Sequence, residues 1–231
     1  MSEKIVLQEL YVRNFRNITS TSLQFSDEIN HVYGKNAQGK TSLLEAIFFC
    51  MSGMSFRTSV LKQLIRHDEP GFFLEARFKK HDVYQTLSIS FEGKKRRVAL
   101  NTRACQSTSV ILGLLQGVIC TPEDLQLIKG PPQLRRRFLD LHISQFEPLY
   151  VHHLNRFRRA LRQRNVLLRS QKGSMLSIFE YELARSGAYI TYKRNEACMA
   201  IKTYAQNHAK EMNLFSFDLR YSPSIEIKNF K

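Results

Sequence analysis

The sequence predicts an α/β fold with antiparallel strands, joined to an all-helical lobe, and three observations support this prediction. A glycine-rich loop at residues 34–41 stands between a strand-like apolar segment and an apolar helix. Apolar and polar residues then alternate in three successive segments between residues 72 and 100. From residue 133 onward, apolar residues instead recur at intervals of three and four, as on the buried face of a helix.

The first half of the chain is predicted to be rich in strands. Residues 5–14 and 20–25 are predicted as two strands with a turn near Asn17, and residues 29–33 as a short strand that leads into the loop. Three more strands are predicted at 72–78, 87–91 and 98–100, with a hairpin turn at Glu92 and Gly93 between the last two. Ser107 can cap a short helix that runs to about residue 116, and residues 117–120 are predicted as a buried apolar strand.

Beyond these strands the predicted elements are helical. Thr121 and Pro122 open a helix, because threonine caps a helix and proline suits its first position. Apolar residues at 154, 157, 161 and 168 predict an amphipathic helix that ends at Gly173. Ser177 and Glu180 are predicted as the capping box of another long helix, which runs through residue 204.

The length of 231 residues suits one large domain or a domain with a smaller lobe. The change from strand to helix patterns divides the chain near residue 132. The expected organisation is a phosphate-binding α/β lobe over residues 1–131, a helical lobe over 132–212, and a segment over 213–231 that returns toward the first lobe.

Residues 34–41 have the pattern G-x-x-x-x-G-K-[ST], which wraps backbone N–H groups around the phosphates of a nucleotide. A helix is predicted at residues 40–49, so that its N-terminus and dipole face the anion. Gly34 and Gly39 allow the turn and the close approach of phosphate, Lys40 neutralises phosphate charge, and Thr41 ligates Mg²⁺. Ser42 either contacts the α-phosphate or simply starts the helix. The remaining residues of the predicted ATP site contribute mainly backbone groups: Lys35, Asn36, Ala37 and Gln38.

The formal net charge of +15 favours a polyanionic partner, with nucleic acid first and an anionic membrane surface second. Four widely spaced cysteines without zinc spacing are expected to be buried in a reducing cytosol, and His152 and His153 are not expected to bind a metal. The N-terminus does not resemble a signal peptide, and no apolar run has the length of a membrane span. The sequence therefore predicts a soluble cytoplasmic protein without a membrane partner.

Two basic segments are candidates for DNA contact. Residues 135–169 contain nine arginines, no lysine and two acidic residues, and arginine binds phosphate with two parallel hydrogen bonds. Residues 94–97 form a second basic cluster on a predicted hairpin. The alternative for both is an ordinary solvated surface. The candidate DNA contacts are Arg135, Arg136, Arg156, Arg158, Arg159, Arg162, Lys94 and Lys95.

These motifs together resemble the RecF family, in the family's order and over most of the chain. The opening L-Y-V-R-N-F-R-N at residues 10–17 resembles its first strand, and the loop followed by S-L-L-E-A-I at 42–47 resembles its Walker A motif and helix. Further blocks resemble later family motifs: S-F-R-T at 55–58, T-P-E-D-L at 121–125 with K-G-P at 129–131, R-R-R-F-L-D at 135–140, and L-R-Q-R-N at 161–165.

The resemblance implies an ABC-type ATPase head, akin to the heads of structural-maintenance-of-chromosomes proteins, that binds ATP and DNA in the bacterial cytosol. It implies a homodimer that closes when ATP is held between two heads. It also implies work with recombination mediator proteins, in recombinase loading at single-strand gaps, in DNA replication and repair, and in the SOS response. By the same resemblance, Arg16 and Asn17 lie near the nucleotide.

Two family motifs are not recognisable: the S-x-G-Q type signature and the Walker B strand with its acidic residues. Hydrolysis needs a second Mg²⁺ ligand, a carboxylate that orients water, and signature residues across a dimer. We therefore expect the chain alone to hydrolyse ATP poorly or not at all, and expect a fragment or a truncated gene product. Two other functions stay open, namely an unrelated P-loop kinase and a DNA-binding module whose loop binds no nucleotide.

Overall fold

The computed structural model describes residues 5–170 and 176–224, and the chain divides into two compact units, Met1–Cys120 and Thr121–Lys231. The strands of the first unit are β1 Ile5–Phe15, β2 Ile18–Gln24, β3 Gly71–Lys80, β4 Val83–Glu92, β5 Lys95–Leu100 and β6 Arg103–Ala104. They form one antiparallel sheet in the order β2-β1-β3-β4-β5-β6. Five of the seven predicted strands and the hairpin turn after Glu92 are therefore confirmed, while β6 is too short to show a pattern.

The predicted helix after the loop is also confirmed, as α1 Lys40–Ser52. Alternate residues of β1, β3 and β4 are buried in one core with apolar residues of α1. Phe72 of β3 packs edge-on against Phe15 and Phe49, with ring centroids 5.2 and 5.6 Å apart. Because these contacts fix α1 against the sheet, they also fix the glycine-rich loop at its N-terminus.

Two predicted strands are wrong. Residues 29–33 form no strand, and Tyr33 is 92% exposed. A strand needs a neighbour for its backbone hydrogen bonds, and none of the described strands pairs with this segment. Asn30 instead bonds locally to the backbone of Ser26 at 2.9 and 3.0 Å. Residues 117–120 also form no strand, and Val118 is 83% exposed rather than buried.

The second unit is helical, as predicted. Its helices are a 3-10 helix at Pro122–Leu125, α2 Gln126–Lys129, α3 Pro132–Ser144, α4 Pro148–Arg169 and α5 Leu176–Glu211. A capping box between Thr121 and Asp124 confirms the predicted helix start. A small core of Ile143, Tyr150, Leu154 and Ile190 joins α3, α4 and α5.

Several predicted helix boundaries differ from the structure. The helix after Ser107 is a single 3-10 turn, Thr108–Ile111, although Ser107 does cap it through the Ser109 N–H. Helix α4 ends at Arg169, and Gly173 lies outside the described residues. Ser177 lies within α5 rather than at its N-cap, because the described helix already includes Leu176.

The cysteines differ in burial more than predicted. Cys50 and Cys198 are buried, Cys105 is half-buried and Cys120 is exposed, so the expectation of four buried cysteines is wrong for Cys120. Within the described part of the chain, no helix is long and apolar enough to cross a membrane.

Candidate nucleotide-binding site

An open cleft of about 960 Å³ lies in the first unit, beside the N-terminus of α1. Three segments form its walls: the glycine-rich loop, the turn between β1 and β2, and the chain between α1 and β3. The cleft is lined by Arg16, Asn17, Asn36, Ala37, Gly39, Lys40, Thr41, Ser42, Arg57, Gln63, Ile65, Arg66, His67 and Asp68. Eight of these residues belong to the predicted ATP site, which the fold gathers around one cavity.

The loop has the backbone conformation that a phosphate cradle needs. Gly34, Ala37 and Gly39 have φ angles of 145°, 63° and 98°, which a glycine adopts readily and other residues rarely do. A side chain at Gly39 would also approach Asn17 Oδ1 to 3.2 Å. The Lys40 ammonium donates to the carbonyls of Gly34 and Lys35, both at 2.7 Å, so its positive charge lies inside the loop.

Asn17 and Ser42 hold the loop in place. Asn17 Nδ2 donates to the Ala37 carbonyl at 2.9 Å, and the Ser42 hydroxyl donates to Asn17 Oδ1 at 2.8 Å. Ser42 is buried, whereas Thr41 is exposed in the first turn of α1. Of the two hydroxyls, that of Thr41 is therefore the one available to a metal ion at the cleft. The described residues contain no cluster of three or more His, Cys, Asp or Glu side chains that could hold a metal by themselves.

Arg16 reaches the cleft from the β1–β2 turn, where its φ of 56° lies in the left-handed region. Its guanidinium donates to both carboxylate oxygens of Glu45, at 2.9 Å from Nε and 2.7 Å from Nη2. Nη1 donates to the Gln63 carbonyl at 2.9 Å. Arg16 therefore lines the predicted site in a fixed orientation, with most of its donors already engaged by the protein.

Sequence reasoning missed three charged residues of this region. Glu45 is fully buried on α1, Arg57 lines the cleft with its Nη1 3.6 Å from Glu45 Oε2, and Arg66 Nη1 donates to the Asn17 carbonyl at 2.9 Å. One sequence signal could have identified Glu45. It is a carboxylate within an apolar helix, at a position where the helical period predicts burial.

Many of the candidate DNA contacts in the second unit are engaged within the protein. Arg135 Nη1 donates to the carbonyls of Leu127 and Gly130 at 3.1 and 2.9 Å, near the end of α2. Arg156 pairs with Glu182, and Arg158 Nη2 lies 3.6 Å from Asp140 Oδ2. These contacts stabilise helix packing, and so they explain part of the arginine content without a ligand.

The other candidates are exposed to solvent. Arg136, Arg159 and Arg162 are exposed and form no ion pair within residues 5–170 and 176–224. Arg159 and Arg162 are three residues apart on α4, and so their side chains lie on the same face of that helix. Lys94 and Lys95 are exposed at the turn between β4 and β5.

The chain matches the AAA domain family over residues 9–214. It is 46% identical over 204 residues to the DNA replication and repair protein RecF of Protochlamydia amoebophila, with 88% of this chain and 57% of that protein covered. It is 34% identical over 229 residues to the RecF protein of Bacillus cereus strain G9842, with 96% of this chain and 61% of that protein covered. The chain therefore spans about three-fifths of the length of these relatives.

The fold is also similar to solved structures. One, described as the recombination mediator protein RecF with ATP in the RecFOR pathway, superposes with a TM-score of 0.86 at 33% identity and covers 90% of this chain and 58% of that one. A second, described as RecF with ATPrS, has a TM-score of 0.84 at 33% identity, and covers 91% and 58% of the two chains. The predicted fold class, an α/β P-loop head with an antiparallel sheet and a helical part, is confirmed.

Proposed function

The chain belongs to the RecF family, and on that premise we propose that it binds ATP at the cleft beside α1 and binds DNA during replication and recombinational repair. The observation that carries the proposal is the position of Lys40. Its ammonium lies within a loop whose backbone conformation suits a phosphate, at the N-terminus of a helix. A relative of similar fold is described with ATP, which supports the choice of nucleotide.

The proposed binding mode follows from the groups around the cleft. Backbone N–H groups of residues 34–41 would surround the phosphates, and Lys40 would exchange its two carbonyl contacts for phosphate oxygens. The exposed Thr41 hydroxyl would ligate Mg²⁺ together with those oxygens. Asn17 and Ser42 would hold the loop rather than the nucleotide, because their polar groups already bond to each other and to the loop.

DNA binding is proposed through exposed arginines and lysines rather than through the whole basic segment. Arg159 and Arg162 are the best candidates, because they share one face of α4 and are free of ion pairs within the described part of the chain. Arg136, Lys94 and Lys95 are also exposed. Contacts of this kind are made with the phosphate backbone rather than with the bases. We therefore expect sequence-tolerant binding that weakens steeply with salt.

We further propose the finer functions that the family resemblance implies. These are an ATP-dependent homodimer, recombinase loading with recombination mediator proteins at single-strand gaps, and a part in DNA damage and the SOS response. On this proposal the protein works in the cytoplasm, where the DNA lies. Poor ATP hydrolysis by this chain alone stays a prediction, which a turnover assay with and without DNA would test.

The nucleotide part is tested by titrating ATP and Mg²⁺ into the wild-type protein and into Lys40→Ala. We expect Lys40→Ala to weaken ATP binding by at least about 100-fold, since it removes a charge-assisted hydrogen bond to phosphate. Lys129→Ala removes an exposed lysine of the second unit and should leave ATP affinity unchanged. Equally tight ATP binding by the wild type and Lys40→Ala would show that the loop is not the ATP site, whereas absence of ATP binding by the wild type would favour a module that binds only DNA.

The DNA part is tested by measuring affinity for gapped DNA over a range of salt concentrations. Arg159→Ala with Arg162→Ala should lower the slope of log affinity against log salt by about 2, roughly one for each phosphate that the protein no longer neutralises. Arg77→Ala removes the same type of charge, but from an ion pair with Glu9 on the sheet, and should leave the slope unchanged. Absence of salt-dependent DNA binding by the wild type would contradict the DNA part of the proposal.

A further inference from the structure

Glu45 is a charged side chain with no exposed surface, placed directly behind the candidate nucleotide site. A carboxylate is costly to bury unless it is paired and hydrogen-bonded. Glu45 accepts two hydrogen bonds from Arg16, one on each oxygen, and a third from the Ser55 hydroxyl. It follows Thr41 by four residues on α1, and so the two residues lie on the same helix face.

The contacts of Glu45 join three separate segments around the cleft. Arg16 belongs to the β1–β2 turn, and α1 carries both Glu45 and the phosphate-binding loop. The Ser55 hydroxyl also accepts from the backbone N–H groups of Arg57 and Thr58, at 2.9 and 3.0 Å, and so it ties that segment to α1. One carboxylate therefore contacts two of the three arginines that line the cleft, Arg16 and Arg57.

The two arginines are not held equally. Arg16 makes a two-pronged contact with Glu45, and its side chain is only 19% exposed. Arg57 makes one contact of 3.6 Å, and its side chain is 47% exposed. A bidentate pair fixes the orientation of a guanidinium, whereas a single long contact leaves it able to turn toward another anion. Arg57 can therefore exchange Glu45 for a phosphate more easily than Arg16 can.

We propose that Glu45 is a positioning residue of the nucleotide site, which holds Arg16 fixed and presents Arg57 to the terminal phosphate of a nucleoside triphosphate. This inference rests on the proposed ATP binding. It assigns to Glu45 the preference of the nucleotide site for a nucleoside triphosphate over a diphosphate. ATP carries one more phosphate than ADP and would gain more from a correctly placed Arg57. Loss of Glu45 should accordingly weaken ATP binding more than ADP binding.

The sign of the effect separates positioning from simple electrostatics. Glu45→Gln removes a negative charge close to the phosphates, and Coulomb's law alone would make both nucleotides bind more tightly. A positioning role predicts the opposite, because both guanidiniums lose the partner that orients them. A general loss of stability predicts a third outcome, in which ATP and ADP affinities fall by the same factor.

The experiment measures the dissociation constants of Mg-ATP and Mg-ADP for the wild type, Glu45→Gln and Asp140→Asn. Glu45→Gln should weaken ATP binding by about 10-fold to 100-fold, the range for removing hydrogen bonds to a charged group. ADP binding should weaken by no more than about threefold, because ADP lacks the phosphate that meets Arg57. Asp140→Asn is the matched control, since Asp140 is also paired with arginines but belongs to the second unit, and it should change neither constant.

A double-mutant cycle with Arg57→Ala tests whether Glu45 acts through that arginine. Glu45→Gln should weaken ATP binding far less in the Arg57→Ala background than in the wild type, because the positioned group is already absent. If Glu45→Gln does not fold, Ser55→Ala takes its place. It removes one link from Glu45 to the Arg57 segment and should weaken ATP binding by a smaller factor, again more than ADP binding.

Three results would overturn the inference: unchanged ATP affinity, tighter ATP binding, or equal losses for ATP and ADP. A wild-type protein that binds no ATP would instead refute the proposed nucleotide function, and so the two failures are distinguishable.

Discussion

Glu45 and Asp140 are chemically alike, but they lie in different units and serve different purposes. Each is a buried carboxylate that forms a close ion pair with one arginine, lies 3.6 Å from a second arginine, and accepts a hydroxyl hydrogen bond. Glu45 joins segments that line an open cleft, whereas Asp140 joins α3 to α4 and α5. The comparison teaches that the surroundings of a buried ion pair, rather than its chemistry, decide whether it serves a binding site or the scaffold.

The cluster around Asp140 has the properties of a permanent structural link. Asp140 Oδ1 accepts from the Tyr150 hydroxyl at 2.5 Å and from Arg194 Nε at 2.9 Å, and it lies 2.7 Å from Arg194 Nη2. Burial and the neighbouring Asp140 charge raise the pKa of Tyr150 well above its ordinary value. Burial acts to lower the pKa of Arg194, but the Asp140 charge and hydrogen bonds outweigh it and raise that pKa. The Tyr150 hydroxyl and the Arg194 guanidinium therefore both stay protonated at neutral pH.

The largest expected effect is on stability, when either carboxylate is removed. Glu45→Ala and Asp140→Ala should each lower the free energy of unfolding by about 3–5 kcal/mol, because each removes a buried carboxylate and leaves a half-buried arginine without its partner. Urea denaturation measures this loss. Glu9→Ala, which breaks a more exposed pair with Arg77, should cost no more than about 1 kcal/mol. A loss below about 1 kcal/mol for Glu45→Ala would mean that its cluster contributes little to the fold.

A smaller effect is expected when only the hydroxyl of each cluster is removed. Ser55→Ala and Tyr150→Phe should each cost about 1.5–3 kcal/mol in unfolding free energy, the usual range for a hydrogen bond to a charged group. The two variants should differ in ATP binding, since only the Ser55 hydroxyl ties a cleft segment to α1. Weaker ATP binding by Tyr150→Phe would contradict the division of roles between the two clusters.

The sequence predicted what depends on local pattern. Strands β3, β4 and β5 alternate apolar and polar residues because one sheet face is buried, and the phosphate loop follows a fixed spacing. Residues 29–33 also have a strand pattern, but a strand forms only where a neighbour offers backbone hydrogen bonds, and a sequence window does not reveal that neighbour. The same limit explains the wrong prediction at residues 117–120.

The cluster of Glu45, Arg16 and Arg57 could not be predicted from the sequence, for a different reason. Arg16 and Arg57 lie 29 and 12 residues from Glu45 in the chain, and only the tertiary fold brings the three side chains together. The basic segment of the second unit shows the converse limit. Its charge suggested a DNA surface, but Arg135, Arg156 and Arg158 bond within the protein. Charge density alone does not distinguish an arginine that packs helices from one that is available to a ligand.

Cysteine labelling can show whether each cluster stabilises its own unit. Cys50 and Cys198 are buried, one in each unit, and burial raises the pKa of both thiols, to about 12 for Cys50. Both should therefore react with a thiol reagent only after local opening. In a protein with Cys105→Ser and Cys120→Ser, Ser55→Ala should speed labelling of Cys50 by about tenfold and leave Cys198 unchanged.

Tyr150→Phe should give the reverse result, with faster labelling of Cys198 and unchanged labelling of Cys50. The measurement is the labelling rate of each cysteine, resolved by peptide mass. If either variant speeds the labelling of both cysteines equally, the two units open together. Glu45 and Asp140 would then differ in their effect on ligand binding but not in which unit they stabilise.

The smallest effect concerns Asp218, a carboxylate that is paired but not buried. Hydrogen bonds from Lys202 and Arg220 lower its pKa from 3.8 to about 2. Because the folded pKa is the lower one, this pairing contributes stability above pH 4 and loses it as the pH falls from about 4 toward 2. Asp218→Asn should thus be slightly less stable than the wild type at pH 7, with the difference narrowing as the pH falls from about 4 toward 2. Urea midpoints across that range measure it, and a difference as large as that of Asp140→Ala would show that burial matters less than pairing.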